Sequence, residues 1–311
     1  MEQTLIFNHT PVMLNECIEG LNIKPNGVYV DGTLGGAGHS RVIASKIKSG
    51  KLICIDKDDD AIKVASERLK DYDFVKIVKS DFKQFNDVLE SLEIKSVDGV
   101  ILDLGVSSFQ LDTAERGFSY RFDGPLDMRM DKTSSFSAYN VVNEYSIQQL
   151  TKIIKDFGEE QFARNIAKNI VQEREKSPIE TTTRLREIVE MSIPKKLWGH
   201  GVAKKTFQAI RIEVNSELSD LDKVLYDIVE KLNSGGRLAV ITFHSLEDRI
   251  VKNAFKDMAT GCNCNRSIPV CVCGRTEKVK LINKKPIEAS VNELTDNRRS
   301  SSAKLRIIEK I

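Results

Sequence analysis

The amino-acid sequence predicts an α/β protein on a parallel, doubly wound sheet, and three observations carry that reading. Apolar runs that end in a carboxylate recur along the chain: Val28-Tyr-Val-Asp31, Lys51-Leu-Ile-Cys-Ile-Asp56 and Val97-Asp-Gly-Val-Ile-Leu-Asp103. Stretches with helical periodicity separate these runs. A glycine-rich turn, Gly32-Thr-Leu-Gly-Gly-Ala-Gly38, follows the first of them and opens a helix. Strands that alternate with helices pair in parallel through right-handed crossovers.

The elements follow in order. After the strand at 28–31 and the glycine turn comes the strand at 51–56. Asp58 caps the next helix, which carries Ile62, Ala65 and Leu69 on one face. Phe74-Val-Lys-Ile-Val78 is the third strand, followed by Ser80-Asp81-Phe82. A helix over about 85–92 leads to the fourth strand at 97–104. From 106 to 205 the alternation stops and the chain is polar and mostly helical. Helices are expected at 147–156 and 159–174, and after Pro178 a third, capped within Thr181-Thr-Thr183, runs to Met191.

The pattern resumes at Thr206. Leu221, Val224, Leu225, Ile228, Val229 and Leu232 fall on one face of a helix over 219–233, ended by Ser234-Gly-Gly236. A fifth strand at 237–243 follows, then a capping box in Ser245-Leu-Glu-Asp248 that opens a helix to about Met258. The runs at 279–282 and 303–308 read as closing edge strands. Three blocks result: residues 1–105 and 206–311 form an α/β domain, and 106–205 form an inserted helical domain.

With 311 residues, 41% of them hydrophobic and 30% charged, the chain has the composition of a globular protein rather than a disordered one. The 47 basic and 45 acidic side chains leave a net charge of +2, so any nucleic-acid face must come from local clustering. No apolar run is long enough for a bilayer, and residues 1–10 lack the pattern of a secretory leader. The expected location is the cytoplasm.

The glycines at 32, 35, 36 and 38 let the backbone approach a ligand, and the helix after them presents free N–H groups. A nucleotide-type cofactor fits such a turn, and a nicotinamide, a flavin or S-adenosylmethionine are all open at this point. The dinucleotide pattern G-x-G-x-x-G fails, because counting from Gly36 its third glycine falls on Arg41. Asp56 stands where a carboxylate accepts two hydrogen bonds from a ribose diol; the competing reading, a helix cap, is already filled by Asp58. Asp81-Phe82 stands where an adenine is gripped, with a core plug as the competing reading for the ring.

Several longer motifs stand in one order: Asp31-Gly-Thr-Leu-Gly-Gly-Ala-Gly-His-Ser40, Asp103-Leu-Gly-Val-Ser-Ser108 with Gln110-Leu-Asp112, Glu115-Arg-Gly-Phe118 and Asp123-Gly-Pro-Leu-Asp-Met-Arg-Met-Asp131. Thr206-Phe-Gln-Ala-Ile-Arg-Ile212, Val214-Asn-Ser-Glu-Leu218 and Phe243-His-Ser-Leu-Glu-Asp-Arg249 follow. The series closely resembles the bacterial RsmH (MraW) family over nearly the whole chain. The resemblance implies a Rossmann-like class I methyltransferase sheet with an inserted helical domain for substrate recognition. It implies S-adenosylmethionine-dependent methylation of N4 of the cytidine at position 1402 of 16S rRNA, in the small ribosomal subunit. It places cofactor contacts on Ala37, Gly38, His39, Asp56, Phe82, Asp103 and Gln110.

Methyl transfer to an exocyclic amine is an in-line displacement, and the cytosine N4 lone pair is delocalised into the ring. An acceptor on its N–H groups therefore helps. Many amino-methyltransferases place Asp/Asn/Ser-Pro-Pro-aromatic after the fourth strand; this chain has Asp103-Leu-Gly-Val, with the acid but without the prolines or the ring. Asp103 is the expected catalytic carboxylate, against a strand-end structural acid. His244, with Ser245 at the end of the fifth strand, is the second catalytic candidate, against a structural histidine. Two basic clusters suit RNA: Lys195, Lys196, His200, Lys204 and Lys205 around Trp198, and Arg298, Arg299, Lys304 and Arg306. Asp127, Arg129 and Asp131 either tie the insertion to the strand ends or form an internal ion-pair cluster.

Cys262, Cys264, Cys271 and Cys273, within the loop 261–274, are a donor set for a structural Zn²⁺, with thiols or a redox-sensitive loop as the other readings. Two further activities compete with methyl transfer. A nucleotide-dependent oxidoreductase is disfavoured by the absent third glycine. A non-catalytic RNA-binding assembly factor has no need to keep Asp31, Asp56 and Asp103.

Overall fold

Alternation of apolar side chains builds both faces of the central sheet. The computed structural model describes residues 11–198, 201–262, 264 and 273–311. The leader reading of 1–10, and His200 and Cys271, lie outside the described residues. The strands are β1 (Val28–Asp31), β2 (Lys51–Asp56), β3 (Val75–Lys79), β4 (Val97–Asp103), β5 (Leu232–Thr242), β6 (Val279–Leu281) and β7 (Lys304–Lys310). Along β2, Ile53 and Ile55 point to one face, and Leu52 and Cys54 to the other. Both faces are apolar, as a sheet covered by helices on both sides requires.

On the first face lie α4 (Phe85–Ser91), α11 (Leu221–Lys231) and α12 (Ser245–Met258), through Phe85, Leu89, Leu225, Ile228, Val251 and Phe255. On the second lie α1 (Leu14–Leu21), α2 (Gly38–Lys46) and α3 (Asp59–Leu69), through Cys17, Leu21, Ile43, Ala65 and Leu69. The sheet order is β3-β2-β1-β4-β5-β7-β6. The first five strands are parallel, and β7 runs antiparallel between β5 and β6. The reading of two edge strands thus holds for β6 alone: β7 is interior, its Leu305, Ile307 and Ile308 buried. The Arg237 guanidinium donates to Glu309 at 2.9 Å across the antiparallel pair.

The connections run outward from β1 through β2 to β3, and from β4 in the other direction to β5. The order reverses between β1 and β4, and the crevice at the carboxyl ends of strands at such a point is where open α/β sheets bind ligands.

The chain divides into two compact units, one up to Gly105 and again from Asp220, the other Val106–Ser219. The second boundary therefore lies past the expected 205/206. The physical reason is α10 (Lys204–Asn215), which buries Phe207 and Ile210 in the core of the second unit. That unit also holds α5 (Ser108–Asp112), α6 (Ala138–Glu144), α7 (Ile147–Asp156), α8 (Ala163–Arg174) and α9 (Thr182–Ser192). Asn215 closes it by hydrogen bonds: its Nδ2 donates to the Met128 carbonyl at 2.7 Å, and its Oδ1 accepts from the Met130 N–H at 2.8 Å. The last helix, α13 (Val291–Asp296), belongs to the first unit.

Leu225 is fully buried between α11 and the first face of the sheet. Leu225→Ala is expected to lower the stability of the first unit by about 2–5 kcal/mol, read by denaturant unfolding; a loss below half a kilocalorie would contradict this packing.

Candidate active site

The glycine turn is shaped by the carboxyl groups at the strand ends. Asp31, ending β1, accepts the Ser40 hydroxyl at 2.6 Å and the Thr33 N–H at 3.1 Å. Asp56, ending β2, accepts the Gly35 N–H at 2.7 Å on one oxygen and the Asp58 N–H at 2.9 Å on the other. Gly35 takes φ +48, where a side chain is strained, and a Cβ on Gly32 would stand 2.5 Å from Leu102. Asp58 caps α3, as expected, by accepting from Asp60 N–H. A carboxylate offers about four lone-pair sites, so Asp56 keeps acceptor capacity beyond its two backbone bonds.

Asp103, ending β4, is placed differently. Its own N–H donates to the Thr33 hydroxyl at 2.6 Å. Its Oδ1 is buried without a hydrogen-bond partner among the described residues, and its Oδ2 stands 3.8 Å from His39 Nδ1. The His39 Nε2–H donates to the Val12 carbonyl at 3.1 Å, so Nδ1 carries the lone pair of a neutral ring. Once Asp103 is ionised, two acceptors face each other with no donor between them among the described residues. A ligand that brings positive N–H donors satisfies both.

Electrostatics follow from burial. Burial pushes the carboxyls of Asp31 and Asp56 up to about 6 against their hydrogen bonds. It pushes Asp103 up to about 8, aided by the charges of Asp31 and Glu247. Burial lowers His39 to about 4. At Asp81 burial acts upward, but the Lys57 charge and the bonds from Lys83 and Lys57 outweigh it, and the group sits below the ordinary carboxylate range. Its carboxylate is spent on the Lys57 ammonium at 3.0 Å and on the cap of the 3₁₀ turn Phe82–Gln84.

The structure brings Ala37, Gly38, His39, Asp56 and Asp103 together around the turn. Phe82 is beside it: a Cβ on Gly32 would lie 3.3 Å from the Phe82 Cβ, while the ring also packs on the main core. Gln110 belongs to the second unit, where its Oε1 accepts from the Ser107 N–H at 3.0 Å in a capping box. His244 caps α12, its Nδ1 accepting from the Glu247 N–H at 3.4 Å, while Glu247 Oε2 accepts from the Phe243 N–H at 2.8 Å. The capping box expected at Ser245 and Asp248 therefore starts one residue earlier, at His244, with Glu247 as its partner.

Asp248 is instead tied to Arg306 by bonds of 2.8 and 3.2 Å. That removes the buried Arg306 from the expected C-terminal basic cluster. Arg129 holds Asp127 at 2.9 and 2.6 Å, an ion pair internal to the second unit. In the same unit Lys195 and Lys196 sit in the 3₁₀ turn Lys195–Leu197. Beside it Trp198 donates Nε1–H to the Ile193 carbonyl at 2.9 Å, with much of its ring at the surface.

Sequence reasoning missed the clasp of Ser40 on Asp31, the Thr33 hydroxyl under Asp103, the Val12 carbonyl that fixes the His39 tautomer, and Glu247. Thr33 and Ser40 lay within the quoted turn motif and Glu247 within the quoted motif at 243–249; the Val12 carbonyl comes from a distant segment and left no local signal.

Unfolded, Asp103 ionises near pH 4; folded, it holds its proton to about pH 8. The folded chain thus binds more protons across that window, and stability falls as pH rises from about 4 to about 8. Asp103→Asn is expected to flatten the upper part of this decline, so that the variant is the more stable protein at pH 8.5 without ligand. Thermal unfolding across pH checks it; parallel curves for the two proteins would contradict the assignment.

Residues 6–311 match the sequence model of the MraW methylase family. A protein of Clostridium botulinum (strain Loch Maree / Type A3) named ribosomal RNA small subunit methyltransferase H is 56% identical over 307 residues, which are 98% of this chain and 99% of that one. Its namesake in Clostridioides difficile (strain 630) is 55% identical over 309 residues, 98% of this chain and 99% of that one. A family match over nearly the whole chain, with relatives at that identity and coverage, makes the chain a member of the MraW methylase family.

Proposed function

We propose that the chain transfers a methyl group from S-adenosylmethionine to small-subunit ribosomal RNA, at N4 of the cytidine at position 1402 of 16S rRNA. The observation that supports it most is Asp103: a part-buried carboxyl at the switch point of the sheet, one oxygen buried without a partner among the described residues and the other facing a neutral imidazole. Such a site favours a cationic donor ligand. An oxidoreductase on the same turn would need to place an anionic pyrophosphate beside Asp31 and Asp56, whose charges at neutral pH repel it.

The cofactor supplies an electrophilic methyl group on a positive sulfur. In the proposed arrangement the turn residues Ala37, Gly38 and His39 hold its amino-acid end. The Asp56 carboxylate accepts from the ribose hydroxyls, and the Phe82 ring lies against the adenine. Gln110 stays in the proposed set through the family resemblance alone. Asp103 accepts hydrogen bonds from the attacking amine and takes its proton, since an acid near pH 8 is matched to that task. His244 acts by holding the start of α12, its ring bound to Glu247. Zn²⁺ at the cysteine loop, the assembled small subunit as the substrate and the cytoplasm as the location are finer parts of this reading. Among the described residues no helix is long and apolar enough to cross a membrane.

The test is methyl transfer from labelled S-adenosylmethionine into small subunits isolated from cells that lack this protein. Label in N4-methylcytidine is expected. Absence of incorporation by a protein that binds the cofactor would sink the reading. In single-turnover experiments Asp103→Asn is expected to slow transfer by about 10²–10⁴-fold while N4-methylcytidine remains the product; near-normal transfer would remove Asp103 from the chemistry.

Lys195, Lys196 and Trp198 join charge to an aromatic face on one surface turn, a combination that suits phosphate contact and base stacking. Replacing both lysines by Glu is expected to raise KM for the subunit at least tenfold and to weaken its salt dependence, with S-adenosylmethionine affinity unchanged. An unchanged KM and salt slope would exclude this turn from the RNA contact.

A further inference from the structure

The loop between α12 and β6 holds a feature that methyl transfer does not use. Cys262, Cys264 and Cys273 bring their sulfurs together so that all lie within 4.8 Å of one another. Cys262 and Cys264 leave the end of α12, and Cys273 returns toward β6 from farther along the chain. The stem of the loop is fixed. The Arg275 guanidinium donates to the Asp257 carbonyl at 3.1 Å and to its carboxylate at 2.8 Å. The Tyr226 hydroxyl donates to the other oxygen of that carboxylate at 2.7 Å, and the Lys278 N–H to the Met258 carbonyl at 2.9 Å.

Two further observations point to a ligand among the sulfurs. The Cys264 N–H is directed at Cys262 Sγ, 3.4 Å away, which turns the backbone so that both sulfurs stay on one side of the loop. Directly after Cys273, Gly274 takes φ +63 with open space where a side chain would stand. That turns the chain sharply beside the last sulfur. We propose that Cys262, Cys264 and Cys273 bind one structural Zn²⁺.

Zinc–sulfur bonds of about 2.3 Å in a tetrahedron put the sulfurs about 3.8 Å apart, so three sulfurs already this close need little movement to bind. Each thiol that binds loses its proton, so loading one ion releases three protons and changes no oxidation state. Soft sulfur donors around a single point suit a mononuclear ion, and Zn²⁺ accepts the tetrahedral arrangement without a geometric preference of its own. The ion ties the end of α12 to the approach to β6. It does so at the opposite end of α12 from His244, and the 14 residues of that helix span about 21 Å. Its loss therefore leaves the cofactor site intact.

The experiment uses the full chain, purified without a metal-binding tag or chelator, with metal content measured by mass spectrometry. One zinc per chain is expected. The reduced, metal-stripped chain is then titrated with Co²⁺ alone. A sulfur-to-cobalt charge-transfer band is expected that saturates at one equivalent and is erased by Zn²⁺. Cys262→Ser with Cys264→Ser is expected to abolish the band and the zinc content, while S-adenosylmethionine affinity stays within twofold of the parent. A reduced parent chain that gives neither zinc nor the cobalt band overturns the proposal. So does a band that survives the double substitution, iron with its visible absorption in place of zinc, or a disulfide among these cysteines in the freshly isolated chain. None of these readouts depends on methyl transfer.

Discussion

The carboxyl edge of the sheet is governed by one constraint: three carboxyl groups, one buried and two part-buried, end neighbouring strands. A buried carboxylate needs donors. Asp31 and Asp56 find theirs in the glycine turn, through Ser40, Thr33 and Gly35, and by doing so they give that turn its shape. Asp103 spends its backbone N–H on Thr33 and is left with one carboxyl oxygen that no described residue satisfies. The same burial that orders the turn thus creates a site that awaits donors. The neutral His39 ring completes it, because the Val12 carbonyl takes its only ring proton. Acids around one crevice also select by charge: a cationic ligand favours their ionised form, and of two ligands of one shape it is favoured over the neutral one.

How much of this was legible in the sequence depends on the range of the interaction. The strands that end in Asp31, Asp56 and Asp103 were legible, because an apolar run stopped by an acid is a local pattern. So was α11, whose buried residues repeat with helical spacing. The helices α1, α5, α6 and α13 are short, at most two turns or so, and their periodicity does not rise above chance. The position of β7 was not legible either. Its residues read equally well at an edge or inside a sheet, and only its pairing with both β5 and β6 decides. The cap of α12 shows the same limit from another side. Ser245 is a common capping residue in the right place, yet the imidazole of His244 takes the role because the buried Glu247 carboxylate faces back to the N–H groups of Phe243 and His244.

The helical unit shows why a domain boundary is harder to read than a strand. α10 carries residues of an ordinary amphipathic helix and stands in the chain where the α/β pattern resumes. Its affiliation is set by partners about 70 to 85 residues earlier: the Tyr145 hydroxyl donates to Glu213 at 2.6 Å, and Asn215 bonds the backbone at Met128 and Met130. Met128 itself takes φ +59, a conformation that few non-glycine residues adopt. The bonds from Asn215 and the burial of the Met128 side chain hold it there. The Asp-Met-Arg-Met-Asp run is therefore a structural knot of the second unit. Arg129 locks Asp127, and the Arg116 guanidinium donates to the carbonyls of Arg129 and Met130. A motif dense in charge looks like a binding site when only its composition is read. Here each charge has a partner within the unit: Arg129 for Asp127, and Thr133 for Asp131.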